Sequence, residues 1–169
     1  MKNTFLSLLL IAFGSLAYGQ IIITQADNPQ PSSVSSLLEF GPEPKGIILP
    51  SVSGASGAAP GTFIFNTTQK AVQVNENGTW TNLSDENAGV LNPNIPPGNA
   101  DERGEVTMGA ASTTKPGVLV LESATQALIL PKVLNPHLTM PSPVAGTMVY
   151  DTASDMLAVY DGANWSYWK

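Results

Sequence analysis

An internal repeat constrains the fold of this chain more than any other feature. Gly46-Ile-Ile-Leu-Pro50-Ser-Val52 returns 81 residues later as Ala127-Leu-Ile-Leu-Pro131-Lys-Val133. Gly61-Thr-Phe-Ile-Phe-Asn-Thr-Thr68 returns after 85 residues as Gly146-Thr-Met-Val-Tyr-Asp-Thr-Ala153, and Trp80 returns at the same spacing as Trp165. The step from 81 to 85 is a four-residue insertion between Val133 and Gly146. Upstream, Leu38-Glu-Phe40 aligns loosely with Leu119-Val-Leu121. A period of this length marks one supersecondary unit used twice. The units are residues 36–83 and 117–169.

Within each unit the local signals are those of strands. Thr62 to Asn66 and Thr147 to Asp151 are β-branched and aromatic, which suits a pleated, half-buried surface. Val72 and Val74 alternate with Gln73 and Asn75, the period of two that marks a strand with one buried face. Phe63, Phe65, Val72 and Val74 should be mirrored by Met148, Tyr150, Leu157 and Val159. Polar turns follow at Thr67 to Lys70 and at Thr152 to Asp155. Asn77-Gly78 is a strong hairpin signal because both residues tolerate positive φ, and Asp161-Gly162 is expected to do the same job in the second unit. Each unit therefore reads as a three-stranded meander preceded by two shorter strands. The expectation is an all-β protein of two short-strand meander units, with little helix outside an N-terminal signal segment.

The flanks read differently. Lys2, the apolar run Phe5 to Leu16, and the small residues Ala17 and Gly19 form a signal peptide over 1–19, with Gln20 beginning the mature chain. The apolar run is shorter than the roughly 20 residues a spanning helix needs, so no membrane insertion is expected after its removal. Residues 20–35 form an extended leader. Residues 84–116, which include Asn92-Pro-Asn-Ile-Pro-Pro-Gly-Asn99, form a linker with room for one short strand. Export leads to a cell-surface, extracellular or periplasmic location. The chain has no cysteine, so no disulfide can staple it. A mature domain of about 150 residues can bury around two thirds of its surface, but each unit alone would be marginal. Packing between units or between copies is therefore expected.

Charge and residue inventory exclude several functions. Net charge is −6 with one arginine and scattered lysines, which leaves no footprint for phosphate backbones, so nucleic acid is not a partner. His137 is the lone histidine, and with no cysteine neither a zinc site nor histidine-dependent nucleophilic catalysis is supported. No Gly-x-Ser-x-Gly elbow occurs, and the glycine-rich Gly54 to Gly61 lacks the Lys-Ser/Thr ending of a phosphate loop. Asp151, Asp155 and Asp161 bracket the second hairpin, but their counterparts are Asn66, Lys70 and Glu76. A lysine in that set favours turn chemistry over a calcium site. No cofactor and no catalytic residue follow from the sequence, and an enzyme is not expected.

Four Asn-x-Ser/Thr sequons, at Asn66, Asn77, Asn82 and Asn164, fit turn chemistry as well as modification. Trp80 and Trp165 share a repeat position, with Trp168 close behind. Flat indoles stack on sugar rings, so these three are the candidate glycan contacts. Packing against the sheet or between units is the favoured role of Trp80 and Trp165.

In order, Leu-Glu-Phe, Lys-Gly-Ile-Ile-Leu-Pro, Gly-Thr-x-x-Phe/Tyr-Asn/Asp-Thr, Val-x-Val/Tyr and Trp form a pattern. It resembles the phage tail-fibre-like β-repeats of secreted, uncharacterised surface proteins of Bacteroidota. The resemblance covers both units, with Lys132 matching the basic residue after the proline and Ser51 departing from it. It implies an exported, fibrous and trimer-forming protein with no catalytic residues. Asp151-Thr152-Ala153 resembles the O-glycosylation pattern of such proteins, which makes Thr152 a candidate acceptor. Together these readings point to a structural or adhesive surface protein that self-associates, its surface protein or glycan partner unspecified. The alternative is a carbohydrate-binding module using exposed tryptophans.

Overall fold

A computed structural model describes residues 20–91, 106–115 and 117–169. The signal segment 1–19 and the central part of the linker lie outside the described residues. The described chain is almost entirely β.

Strands β1 (Ile21–Ile23), β2 (Ser36–Phe40), β3 (Ile47–Ile48) and β4 (Ser51–Val52) come first. The first meander follows as β5 (Phe63–Asn66), β6 (Ala71–Glu76) and β7 (Thr79–Asn82). Strand β8 (Val106–Met108) lies in the linker and pairs in parallel with β9 (Leu119–Leu121). Strands β10 (Ala127–Ile129) and β11 (Lys132–Val133) lead to a one-turn helix, α1 (Pro136–Thr139), inside the insertion that lengthens the second unit. The second meander is β12 (Thr147–Asp151), β13 (Met156–Tyr160) and β14 (Trp165–Trp168). Part of the leader is thus a strand, since three consecutive isoleucines favour extended backbone and β1 pairs in parallel with β2.

The two meanders keep the same register. Phe63 faces Val74 and Phe65 faces Val72; 85 residues on, Met148 faces Val159 and Tyr150 faces Leu157. Left-handed positions recur as well. Lys70 (φ 51) matches Asp155 (φ 55), and Gly61 (φ 84) matches Gly146 (φ 86). The hairpin tips differ. Asn77 and Gly78 both have positive φ and make the expected two-residue turn. In the second unit Tyr160 pairs with Trp165 across a four-residue loop, closed by the amide of Asp161 on the carbonyl of Asn164. The carboxylate of Asp161 accepts the amides of Ala163 and Asn164 at 2.8 and 2.7 Å, which sets this wider turn.

Proline decides where the short strands go. Pro50 has no amide to donate, so the strand breaks there, while its carbonyl accepts the amide of Phe65 at 2.9 Å. Beyond Pro50, β4 runs parallel to β5 in its own unit. Before it, β3 runs antiparallel to β12 of the other unit, Ile48 opposite Thr147 and Ile47 opposite Met148. Pro131 repeats the break, with its carbonyl accepting the amide of Tyr150 at 2.9 Å as β11 joins β12. There β10 runs parallel to β2 instead, which ties the second unit to the start of the first.

These crossings make one core from two units. Leu49, Phe65, Val72 and Leu83 of the first unit pack with Ala145, Met148 and Val159 of the second. Phe65, Val72 and Val159 are 0 % exposed. A smaller cluster of Val133, Val149 and Ala158, joined by Met140, Trp165 and Tyr167, covers the opposite face of the second meander. Because the main core is shared, Phe65→Ala should cost about 3–5 kcal/mol. Both units should then unfold in one transition, as read by circular dichroism against temperature. Two separated transitions would contradict the shared core.

Candidate functional site

The turn that follows β12 is built around Asp151, which is 2 % exposed. Its Oδ1 accepts the amides of Asn135 and Ala153, each at 2.9 Å, and its Oδ2 accepts the hydroxyl of Ser154 at 2.8 Å. Asn66 does similar work in the first unit, with Oδ1 accepting the amides of Thr68 and Gln69 at 2.9 and 3.1 Å. Both are short polar side chains that tie down their own turn. Burial pushes the Asp151 carboxyl up, but the Ala153 amide, the Ser154 hydroxyl and the Asn135 amide outweigh it, so the group sits below its ordinary value. Thr152, the candidate acceptor, is exposed on this turn.

The three aspartates singled out in the sequence do separate work. Asp151 holds its turn and Asp161 holds the β13–β14 loop, while Asp155 accepts the hydroxyl of Tyr150 at 3.3 Å. Asp155 occupies a left-handed position that Lys70 fills in the first unit, so the backbone defines that site in both units. Among the described residues no group of three acidic or histidine side chains is placed to hold a metal ion.

The tryptophans part company. Trp165 is half-buried, packs on Val133, Val149 and Ala158, and lies 5.2 Å from the ring of Tyr160. Trp80 is also half-buried but joins neither apolar cluster. Its face of the first meander carries amides instead: Asn66 Nδ2 donates to Gln73 Oε1 at 2.9 Å, and Gln73 Nε2 donates to Asn82 Oδ1 at 2.6 Å. Ala158 and Tyr167 stand where Gln73 and Asn82 do, so this face of the second meander offers its tryptophan more apolar surface. Trp168 is 43 % exposed, yet its Nε1–H donates to the carbonyl of Leu83, 85 residues away. That bond joins the ends of the two meanders.

His137, on α1, meets the hydroxyl of Tyr167 at 3.1 Å, edge-on to its ring. Burial and the Asp151 charge push the Tyr167 hydroxyl up. An open groove of about 450 Å³ runs beside β1 and β2, with Ile22, Thr24, Glu39, Phe40 and Lys132 along it. Burial pushes the Glu39 carboxyl up, but the bonds from Ser32 outweigh it and hold the group below its ordinary value. Sequence reasoning missed this groove because it depends on the β1–β2 pairing.

The feature that the two units share is strand and core continuity between them. Residues 108–169 match the family model described as a phage tail like trimerisation region. The match runs from Met108, the last residue of β8, through β9 and the second unit, and it supports the likeness to phage tail fibres carried by the repeats. No curated protein and no solved structure matches the chain. Among the described residues no helix is long and apolar enough to cross a membrane.

Two measurements follow from this geometry. The folded pKa of Asp151 is lowered, so its stabilisation is present above the ordinary carboxylate value of about 3.9 and fades as pH falls through the folded value. Chemical unfolding from pH 7 down to pH 2 should therefore show an acid loss that Asp151→Ala flattens. At neutral pH the same variant should be about 1–3 kcal/mol less stable, because three donors lose their acceptor. The second measurement compares indoles. Trp165→Ala should lower the melting temperature clearly more than Trp80→Ala, and equal shifts would contradict the packing difference.

Proposed function

We propose that this chain is a non-catalytic structural module that assembles as a trimer in a fibre-like, exported surface protein. The observation that carries the reading is the match of residues 108–169 to a trimerisation region. The architecture agrees with it. Two copies of one unit already bury a common core and exchange strands within the chain, so the unit is suited to packing on another like itself. An apolar sheet face must be buried against another element, and cyclic symmetry supplies one. Export rests on the apolar start and small-x-small end of residues 1–19. Adhesion to a glycan or protein, and modification at Thr152, belong to the same surface reading.

The carbohydrate-binding alternative keeps one specific support, the exposed face of Trp168. Its indole N–H is already spent on Leu83, which leaves only ring stacking for a sugar. The deciding experiment is the molar mass of the chain from Gln20 onward, by light scattering and by sedimentation equilibrium. Three times the chain mass across a tenfold dilution is expected. A monomer that binds a glycan array through Trp168 would replace the trimer reading with the lectin one.

A further inference from the structure

The two units are not equally covered. In the second unit, the outer edge of β12 is fully occupied: β11 covers Tyr150 and Asp151, and β3 covers Thr147 and Met148. In the first unit, β4 covers Phe65 and Asn66, and among the described residues no strand lies along Gly61 to Phe63. The amide of Phe65 points to this side, toward Pro50, so by the two-residue alternation the amide of Phe63 points there too.

Burial follows the missing strand. Gly146, Thr147 and Met148 are buried, whereas their counterparts Gly61, Thr62 and Phe63 are exposed or half-buried. A Cβ added at Gly146 would meet Phe65 Cβ at 3.2 Å and the Leu49 carbonyl at 3.4 Å. One added at Gly61 would meet nothing within 4 Å. The difference is coverage, because the backbone at the two glycines is the same within a few degrees, φ 84 and 86.

The repeat identifies what fits there. The segment seated on Gly146 to Met148 is Gly46-Ile-Ile-Leu49, and its counterpart is Ala127-Leu-Ile-Leu130. That counterpart includes β10, the edge strand of its three-stranded sheet, with β2 on one side and, among the described residues, no strand on the other. Leu128, Ile129 and Leu130 are half-buried, as an apolar strand with one covered side should be. Within its own chain β10 forms no pair with β5.

We infer that the half-edge Gly61 to Phe63 of one copy accepts Ala127 to Leu130 of a second copy as an antiparallel strand. The step the first unit makes onto the second inside one chain is then repeated from the second unit onto the first unit of the next copy. Such a contact is head-to-tail, so it closes only as a ring, and three copies give a ring of six like units. This rests on the trimer reading above and names its contact. The register transfers from the observed pair: Phe63 opposite Leu128, and Thr62 opposite Ile129.

The chain has no native cysteine, so a cross-link can be placed without background. In the full chain, Thr62→Cys with Ile129→Cys should oxidise to a covalent trimer on a non-reducing gel. Neither single variant should give that product. A 62–129 disulfide found within one chain, by peptide mapping after mixing isotopically labelled and unlabelled protein, would overturn the inference in favour of closure at home. So would absence of any cross-link while the reduced double variant still weighs three chains, a result that leaves the trimer reading standing. A monomer mass for the unsubstituted chain would remove both. Should the double variant fail to fold, hydrogen exchange on the unsubstituted trimer decides. The Phe63 amide should exchange slowly there and speed up on dilution to monomer, and fast exchange at all concentrations would count against strand addition.

Discussion

The pairing of Ile47–Ile48 with Thr147–Met148 is the contact on which the rest of the structure depends. Each unit alone is marginal, since a chain of about 50 residues buries too small a share of its surface. Seating β3 on β12 places Leu49 beside Gly146, its amide bonded to the Gly146 carbonyl at 2.9 Å. The Phe65–Val72 face is thereby brought onto Ala145, Met148 and Val159. The glycine matters twice at that point. Its left-handed φ ends the incoming loop, and its missing Cβ lets Phe65 approach.

Pro50 makes this crossing obligatory. A residue with an amide could have continued one strand along one partner, but proline interrupts the ladder and leaves only its carbonyl to bond onward. The strand before Pro50 and the strand after it therefore serve different sheets, one in each unit. Pro131 imposes the same division on the second unit, and there the preceding strand goes to β2. One local rule thus gives two different long-range outcomes, depending on which edge lies within reach.

This explains what could be read from the sequence and what could not. The strands at Phe63–Asn66, Ala71–Glu76, Thr147–Asp151 and Met156–Tyr160 were legible because alternation and β-branching are local. The paired repeat also fixed which residues share a face. Sheet membership was not legible: Gly46-Ile-Ile-Leu and Ala127-Leu-Ile-Leu look alike, yet they pair with different partners. The β1 strand lay hidden in a leader whose later residues are polar. Trp80 and Trp165 looked equivalent because the position is shared, but an indole's surroundings are set by neighbours across the sheet. Gln73 against Ala158, and Asn82 against Tyr167, decide those surroundings.

That last contrast bears on where specificity resides. The inner faces of the two meanders have kept one chemistry, with Phe63, Phe65, Val72 and Val74 answered by Met148, Tyr150, Leu157 and Val159. All are apolar or aromatic. The outer faces have diverged into an amide ladder in the first unit and an aromatic cluster capped by α1 and Met140 in the second. Such divergence is tolerated only on surfaces that do not have to match the other unit. A face that must pack on its own kind is held to one chemistry by every partner it meets, whether inside the chain or in a neighbouring copy. The opposite face answers only to the side chains that its own unit lays on it. The inner chemistry is therefore what joins the two units within the chain. The unlike opposite faces, with His137 edge-on to Tyr167 in the second unit, are where two copies of one unit acquire different surroundings.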